Sequence, residues 1–355
     1  MGSIIGTNVK LTIFGESHGA AIGGVLDNLP SGIEIREDCL CAYMERRKAG
    51  KIGTTPRAEA DTVKILSGVF RGKTTGTPLA YVIENTNVKS EDYSRSAARP
   101  SHADYTGHLR YKGFNDYRGG GHFSGRLTAP IVAAGAIAAM CLKEYGIYAL
   151  TRVKSIGSIE DAPVSDMSRA AAAAISQRSI PVVSETAEKQ ILNLLEETLR
   201  RGDSVGGVVE CILMNIPAGI GNPIFEGFES ALAKMIFSVP AVMGVEFGRG
   251  FEIARLCASE ANDQMRMVQG KVVCATNNCG GINGGITNGM PIVVRAAIKP
   301  TPSISLPQKS VDYLAMKDAD ILVKGRHDCC IALRAPVVIE SCALFTALDF
   351  LRWLS

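Results

Sequence analysis

The sequence carries little net charge and few aromatic side chains. Its 38 lysines and arginines nearly balance 35 aspartates and glutamates, so the formal net charge is only +3 over 355 residues. A nucleic-acid-binding domain usually concentrates basic residues on one face, so we expect no nucleic-acid partner. Hydrophobic residues nevertheless make up 46% of the chain, which is enough to bury a large core.

Long apolar runs and secretion signals are also missing from the sequence. No uninterrupted apolar run reaches the ~18–20 residues that span a bilayer. Residues 1–9 lack the charged and then apolar pattern of a signal peptide. These absences predict a cytoplasmic protein with no membrane partner.

Cysteine is plentiful, but its spacing does not suit zinc. The chain has ten cysteines, of which Cys39 and Cys41 are separated by one residue and Cys329 and Cys330 are adjacent. Reduced thiols are expected in a cytoplasmic protein of this length. We therefore predict neither a disulfide framework nor a metal site.

Strand-like and helix-like patterns alternate irregularly along the chain. Apolar runs of strand length predict strands at 10–14, 21–26, 79–84, 208–216, 241–247 and 291–298. Apolar residues at helical spacing predict helices at 38–47, 128–145, 184–200, 225–237 and 336–354. This order fits neither a (β/α)8 barrel nor a simple doubly wound sheet. No linker divides it, so we expect one domain over 1–355.

Histidine is scarce, and its placement is informative. The five histidines are His18, His102, His108, His122 and His327. We expect all of them in polar loops, beside glycine, serine, aspartate or arginine. An imidazole titrates near neutral pH, so this placement favours proton transfer, with an ordinary surface role as the alternative for any one of them.

A glycine-rich loop over 118–126 precedes the helix predicted at 128–145. Its three successive glycines allow close approach of the backbone, and the start of the helix offers free N–H groups to an anion. Arg118 and Arg126 flank the glycines and can bind phosphate or carboxylate through two hydrogen bonds. The glycine and lysine spacings of a P-loop and of a dinucleotide site are absent. The pattern favours anion binding, and a tight structural turn is the alternative.

Two shorter patterns leave alternatives open. Residues 15–19 match the G-x-S-x-G pattern that presents a nucleophilic serine in hydrolases, but a strand rather than a helix is predicted after it. A serine hydrolase that uses Ser17 is therefore one alternative. Arg326, His327 and Asp328 form a cluster that suits either catalysis or a simple ion pair.

Seven segments, taken in order, resemble the chorismate synthase family. They are FGESHG (14–19), RPSHADY (99–105), DYRGGG (116–121), PAVMGVE (240–246), GGINGGI (280–286), KPT (299–301) and GRHD (325–328). The resemblance implies an α+β fold, a β-α-β sandwich with central helices between antiparallel sheets, assembled as a homotetramer. It also implies a lyase that converts 5-enolpyruvylshikimate 3-phosphate to chorismate and phosphate by 1,4-elimination with reduced FMN. This reaction is the last common step of the shikimate pathway to aromatic amino acids.

The resemblance further implies roles for individual residues. His18 would protonate the departing phosphate, His102 would face the reduced flavin, and Asp328 would act with the flavin as the base for the ring proton. The flavin-binding segments of the family match His122, Phe123, Ser124, Pro240, Ala241, Gly284, Lys299, Pro300, Thr301, Pro302, Ser303 and Arg326. The substrate would be bound by Ser17, Arg46, Arg47, Arg110 and Arg126. Arg47 also matches a position associated with NADP.

The chain departs from the family pattern in two loops. His122 stands where the family commonly has arginine, and residues 125–128 read Gly-Arg-Leu-Thr where Ala-Arg-Glu-Thr is common. The loop after Arg47 is one residue short, so no second NADP position is carried over. We expect NADPH to act only through an external flavin reductase that supplies reduced FMN. A non-catalytic flavin- or anion-binding protein is the remaining alternative.

Overall fold

Short antiparallel strands and eight α-helices make up the part of the protein that its computed structural model describes, residues 2–48, 60–86, 95–323 and 328–351. The strands are β1 (Ile4–Ile5), β2 (Lys10–Gly15), β3 (Ala21–Asp27), β4 (Lys64–Ile65), β5 (Val69–Phe70), β6 (Lys73–Thr74), β7 (Leu79–Glu84), β8 (Tyr148–Ile156), β9 (Ile159–Glu160), β10 (Gly207–Met214), β11 (Val242–Phe247), β12 (Met265–Val268), β13 (Lys271–Cys274), β14 (Ile282–Asn283), β15 (Ile286–Thr287), β16 (Ile292–Ile298), β17 (Gln308–Asp312) and β18 (Lys317–Ile321). The helices are α1 (Glu37–Arg47), α2 (Asp104–Arg110), α3 (Thr128–Leu142), α4 (Arg169–Gln177), α5 (Glu185–Arg200), α6 (Phe228–Phe237), α7 (Ala258–Ala261) and α8 (Ala335–Leu351).

Two antiparallel sheets enclose a layer of helices. The first sheet has the strand order β1-β2-β3-β7-β4, and the second has the order β11-β16-β10-β8-β9. Helix α3 packs against the first sheet, α8 packs against β8 and β10 of the second, and the two helices pack on each other. Helix α4 covers the other face of the second sheet. The predicted α+β fold with central helices between antiparallel sheets is confirmed.

The two central helices are apolar on every side because both are enclosed. All residues of α3 except Ala139, and every residue of α8, are buried. Gly135 lies where the helices cross: a Cβ there would overlap the side chain of Ser341 and lie 2.5 Å from its Cα. Only glycine allows the backbones to approach this closely.

The segment Gly125–Tyr145, which contains α3, is long and apolar enough to cross a membrane by length and composition alone. However, 83% of its most apolar window is buried inside the protein. A helix packed on all sides by its own protein is apolar for that reason. Its composition is therefore that of a core helix.

The sequence pattern predicts no strand where β8 lies, because charged residues interrupt its apolar run. Arg152, in the middle of β8, is only 3% exposed. Its guanidinium donates to Glu210 of β10 at 2.9 Å and to Asp161 at 2.6 Å, and Arg295 of β16 donates to Glu210 at 2.7 Å. These buried charges are tolerated because each has an opposite partner, and they connect three neighbouring strands.

The prediction that all five histidines lie in loops is wrong for His108. It lies in α2, and its ring stacks on Tyr313 with 4.7 Å between the ring centroids. The polar stretch around it, with Gly107 inside the helix, lacks the apolar spacing that predicts helices. His122 lies in a short 3-10 turn, and His327 lies outside the described residues.

Replacing Gly135 with alanine should lower the free energy of unfolding by about 1–3 kcal/mol, the cost of overpacking a filled core. Urea unfolding followed by circular dichroism measures this change. Gly244→Ala is the matched control, because a Cβ at Gly244 would lie 3.7 Å from the Cβ of Ala297, an ordinary contact. Equal stability of the two variants would contradict the close crossing of α3 and α8.

Candidate active site

The glycine-rich loop forms a turn that requires glycine. Gly119, Gly120 and Gly121 all have positive φ angles, of 60°, 80° and 54°. This glycine turn packs on the hairpin turn between β2 and β3, where the N–H of Ser17 donates to the carbonyl of Gly121 at 3.1 Å. A Cβ at Gly119 would overlap the ring of His18 and lie 2.8 Å from Oγ of Ser17. The missing side chain therefore lets the backbone lie against the histidine.

His18 and His102 lie against the same glycine turn, although they are far apart in sequence. A Cβ at Gly120, the residue after the one that contacts His18, would lie 3.1 Å from Cε1 of His102. His18 is 6% exposed, and the side chain of His102 is 16% exposed. The structure thus brings together the two histidines to which the resemblance assigns proton handling.

An ion-paired aspartate, absent from the predicted site, holds His102. Nδ1 of His102 lies 2.7 Å from Oδ1 of Asp104, and Arg99 donates to the same carboxylate through Nε and Nη2, both at 2.8 Å. Burial raises the pKa of Asp104, but hydrogen bonds from Arg99 and His102 outweigh burial and hold that pKa well below its usual range. The carboxylate is therefore ionised and orients the imidazole.

The segment after β16 packs on the loop that carries His102. Nζ of Lys299 donates to the carbonyl of Ser101 at 2.6 Å. Oγ1 of Thr301 is buried and has no hydrogen-bond partner within the described ranges. A buried hydroxyl normally has a partner, so this one marks a place where a bound molecule can supply it.

Two further contacts place predicted flavin-binding segments around that loop. The carbonyl of Ala241, next to Pro240, accepts a hydrogen bond from the N–H of Lys299 at 2.9 Å. Oγ of Ser303 accepts one from Nη1 of Arg99 at 3.3 Å. Segments that are distant in sequence therefore meet at one place.

Three arginines gather where α1 ends and where α3 and α8 begin, and we call Arg47, Arg126 and Arg334 the arginine cluster. One oxygen of the Asp61 carboxylate pairs with Arg47, and the other pairs with Arg126. Nε of Arg334 donates to the carbonyl of Arg47 at 3.0 Å. Burial lowers the pKa of Arg47 to about 10. The positive charges of Arg334 and Arg126 add to this lowering, and the negative charge of Asp61 opposes it. Guanidinium groups that lie close together can bind an anion through charge-assisted hydrogen bonds.

Asp328, the predicted base, lies beside the arginine cluster. Nη1 of Arg334 donates to its Oδ2 at 3.0 Å, and its side chain is 12% exposed. The predicted residue Arg326 lies outside the described residues. Neither Asp61 nor Arg334 belongs to a motif, and no signal in the single sequence links them to their partners.

Other predicted residues have different surroundings. Both terminal nitrogens of Arg46 pair with the carboxylate of Glu340 in α8. Arg110 is exposed at the end of α2. Gly284 lies in the turn between β14 and β15, with open space where a Cβ would be. Their predicted binding roles rest on the family resemblance.

His122, the departure from the family pattern, is engaged by the protein at both ring nitrogens. Nδ1 lies 2.8 Å from the carbonyl oxygen of Gly15 at the end of β2, and Nε2 lies 3.3 Å from Oγ of Ser3. The neighbouring Phe123 packs on Tyr111 with 6.2 Å between ring centroids. His122 therefore fastens the glycine turn to the first sheet.

The G-x-S-x-G pattern forms the hairpin turn between β2 and β3. A nucleophile elbow needs a helix directly after the serine, whereas β3 begins at Ala21. This geometry does not support a serine hydrolase.

Asp61→Asn should lower the free energy of unfolding at pH 7 by about 3–5 kcal/mol, because it leaves buried positive charge uncompensated. Asp61 is 4% exposed. Burial raises the pKa of its carboxyl, but Arg47 and Arg126 lower it more, so it lies below its usual value. Its contribution to stability is therefore complete above the ordinary aspartate pKa of ~3.9 and is lost as the pH falls further.

Urea unfolding between pH 7 and pH 3 tests this expectation. The difference in stability between the native protein and Asp61→Asn should begin to shrink at the acidic end of this range, below the ordinary aspartate pKa of ~3.9. The exposed Asp318 provides the control, and Asp318→Asn should follow the native protein. A constant difference between native and Asp61→Asn across the whole range would contradict the assignment.

Comparisons with known proteins agree with this architecture. The sequence model of the family described as "Chorismate synthase" matches residues 9–351. Chorismate synthase of Thermococcus kodakarensis is 46% identical over 98% of this chain and 96% of the relative, and that of Archaeoglobus fulgidus is 46% identical over 96% and 94%. A crystal structure of chorismate synthase is similar with a TM-score of 0.77 and 29% identity, covering 99% of this chain and 94% of the other. The chain therefore belongs to the chorismate synthase family, whose members are lyases.

Proposed function

We propose that the protein converts 5-enolpyruvylshikimate 3-phosphate to chorismate and phosphate by 1,4-elimination, with reduced FMN as its cofactor. The observation that carries the proposal is the placement of His18 and His102 against one glycine turn. The substrate has one phosphate and two carboxylates, so a site that binds it needs several cations. The arginine cluster supports the proposal because three positive charges meet there around the buried Arg47.

In this proposal, Arg47 and Arg126 of the arginine cluster bind anionic groups of the substrate. Within the described ranges, Arg47 and Arg126 share the single carboxylate of Asp61, while Arg334 pairs with Asp328. Two guanidinium groups that share one carboxylate can attract a substrate anion. Arg47 is 3% exposed, so we assign it to the substrate and leave NADPH to a separate flavin reductase.

His18 would act as the acid for the departing phosphate. As the bond between the ring carbon and the phosphate oxygen breaks, its electron pair stays on that oxygen, and a proton from the imidazole neutralises the new charge. The low exposure of His18, 6%, limits competition from bulk water. Ser17, held by the glycine turn, would help to bind the same phosphate.

Asp328 would accept the ring proton that the elimination removes. The electron pair of the broken C–H bond moves into the ring, the ring double bond shifts, and the phosphate leaves with the pair of its C–O bond. The reaction therefore has no net change in redox state. The arginine cluster beside Asp328 would hold the ring at the required distance.

The surroundings of His102 fit a flavin mononucleotide. The buried Thr301 hydroxyl has no partner among the described side chains and backbone groups, and Lys299 places a cation against the loop that carries His102. When bound, reduced FMN would supply the electronic assistance that the elimination needs. His102, oriented by ionised Asp104, would face it. The residues that would hold it are His122, Phe123, Ser124, Pro240, Ala241, Gly284, Lys299, Pro300, Thr301, Pro302, Ser303 and Arg326.

We include a homotetramer of single-domain subunits in the proposal. Large apolar side chains are exposed near α6 and β11, for example Phe225 at 87%, Met243 at 65% and Phe251 at 85%. Clustered exposed apolar residues are typical of protein interfaces. One hydrophobic cluster that spans residues of both sheets supports a single domain.

We also propose that the protein works in the cytoplasm. All ten cysteines are free thiols. Free thiols persist in reducing compartments, and this state supports the proposed location.

Phosphate release under anaerobic conditions, with dithionite-reduced FMN and 5-enolpyruvylshikimate 3-phosphate, tests the function. The native protein should release phosphate and form chorismate. His18→Ala and His102→Ala should each lower turnover by roughly 10²–10⁴-fold, the usual loss when acid–base assistance is removed.

His108→Ala is the matched control, because the ring of His108 packs against Tyr313 and the proposal assigns it no role, and it should keep native turnover. Folded native protein that binds flavin but releases no phosphate would favour the non-catalytic alternative. Native turnover in both active-site variants would refute the assigned roles.

A further inference from the structure

Arg334 has a fixed position next to the proposed base. It follows a short 3-10 turn, Ile331–Leu333, and its N–H donates to the carbonyl of Ile331 at 3.0 Å. The flanking residues Leu333 and Ala335 are 3% and 7% exposed. The backbone of Arg334 is therefore anchored in the core, at the start of α8.

The guanidinium of Arg334 connects two parts of the site. Nη1 donates to Oδ2 of Asp328 at 3.0 Å, and Nε donates to the carbonyl of Arg47 at 3.0 Å. A guanidinium is planar and rigid, so two bonds from one plane fix the carboxylate relative to the end of α1. Lysine, with one nitrogen on a flexible chain, cannot reproduce this geometry.

The same contacts relate the base to the arginine cluster. Arg334 contacts the backbone of Arg47, and its positive charge contributes to the lowered pKa of Arg47. Arg47 in turn pairs with Asp61. A displacement of Arg334 would therefore move Asp328 relative to the groups proposed to bind the substrate.

We infer that Arg334 is a positioning residue that holds the Asp328 carboxylate at the ring proton. The inference rests on the proposed function. Arg334 takes no part in bond making: Asp328 accepts the proton, the C–H electron pair enters the ring, and phosphate leaves with the C–O pair. Its contribution is to the distance and direction of proton transfer, to which such reactions are very sensitive.

An ion pair that only stabilises the fold would behave differently. Arg178 and Glu188 form such a pair between the end of α4 and α5, with a distance of 2.5 Å and side chains 29% and 20% exposed. The Arg334–Asp328 pair has similar exposure, 20% and 12%. Arg178→Met is therefore a matched control for Arg334→Met.

The test compares kcat, KM and the deuterium isotope effect of native protein, Arg334→Met, Arg334→Lys and Arg178→Met. The substrate carries deuterium at the ring position that loses its proton, and dithionite-reduced FMN is supplied. Arg334→Met should lower kcat by roughly 10²-fold, as expected for a misplaced catalytic group, while KM changes by less than about threefold because substrate binding is retained. The isotope effect should rise, since proton removal becomes slower relative to other steps.

Arg334→Lys should recover part of kcat, and Arg178→Met should keep native kcat and isotope effect. Circular dichroism checks folding, and if Arg334→Met does not fold, the isotope effect of Arg334→Lys decides. If the native protein turns over and both Arg334 variants have the same kcat and isotope effect as the native protein, the inference is overturned and the proposed function stands. A larger KM at unchanged kcat also overturns it, because it indicates direct substrate binding. Absence of turnover in the native protein overturns the proposed function and this inference with it.

Discussion

A single buried carboxylate, that of Asp61, joins the ends of the helices on which the site is built. Its two oxygens pair with Arg47 at the end of α1 and with Arg126 just before α3. Burial of either guanidinium alone would be costly, and one shared carboxylate offsets part of the cost for both. Arg334 adds a third positive charge from the start of α8, where it contacts the carbonyl of Arg47 and pairs with Asp328. The fold thus brings three guanidinium groups together around the ends of these helices.

The glycine turn is the second constraint, and it acts through shape. Its three residues adopt positive φ angles, which glycine tolerates. Because these residues have no side chains, His18 and His102 can lie directly against the backbone. His122 holds the turn to the end of β2 through its contact with the carbonyl oxygen of Gly15. The turn therefore requires glycine for its packing, and the side chain that follows the glycines ties it to the first sheet.

The motifs allowed the fold to be predicted, and they named His18 and His102, which the structure brings to one glycine turn. The remaining arrangement depends on long-range contacts. Arg46 and Arg47 are adjacent in sequence and both were expected at the substrate, yet the turn of α1 directs Arg46 to Glu340 and Arg47 to Asp61. No pattern in one sequence distinguishes such neighbours. Strand β8 was not predicted because Arg152 interrupts its apolar run, and its ion pairs with Glu210 and Asp161 allow that residue to be buried. Asp104 is close to His102 in sequence, but its role depends on a carboxylate orientation that spacing does not determine.

The most direct test of this account is a crystal structure of the protein with 5-enolpyruvylshikimate 3-phosphate and oxidised FMN, a state that does not turn over. The account predicts the substrate phosphate within hydrogen-bond distance of His18, the flavin beside His102, and the ring proton facing Asp328. The carboxylates should contact the arginine cluster. A substrate bound elsewhere, with His18 and the arginine cluster untouched, would contradict it.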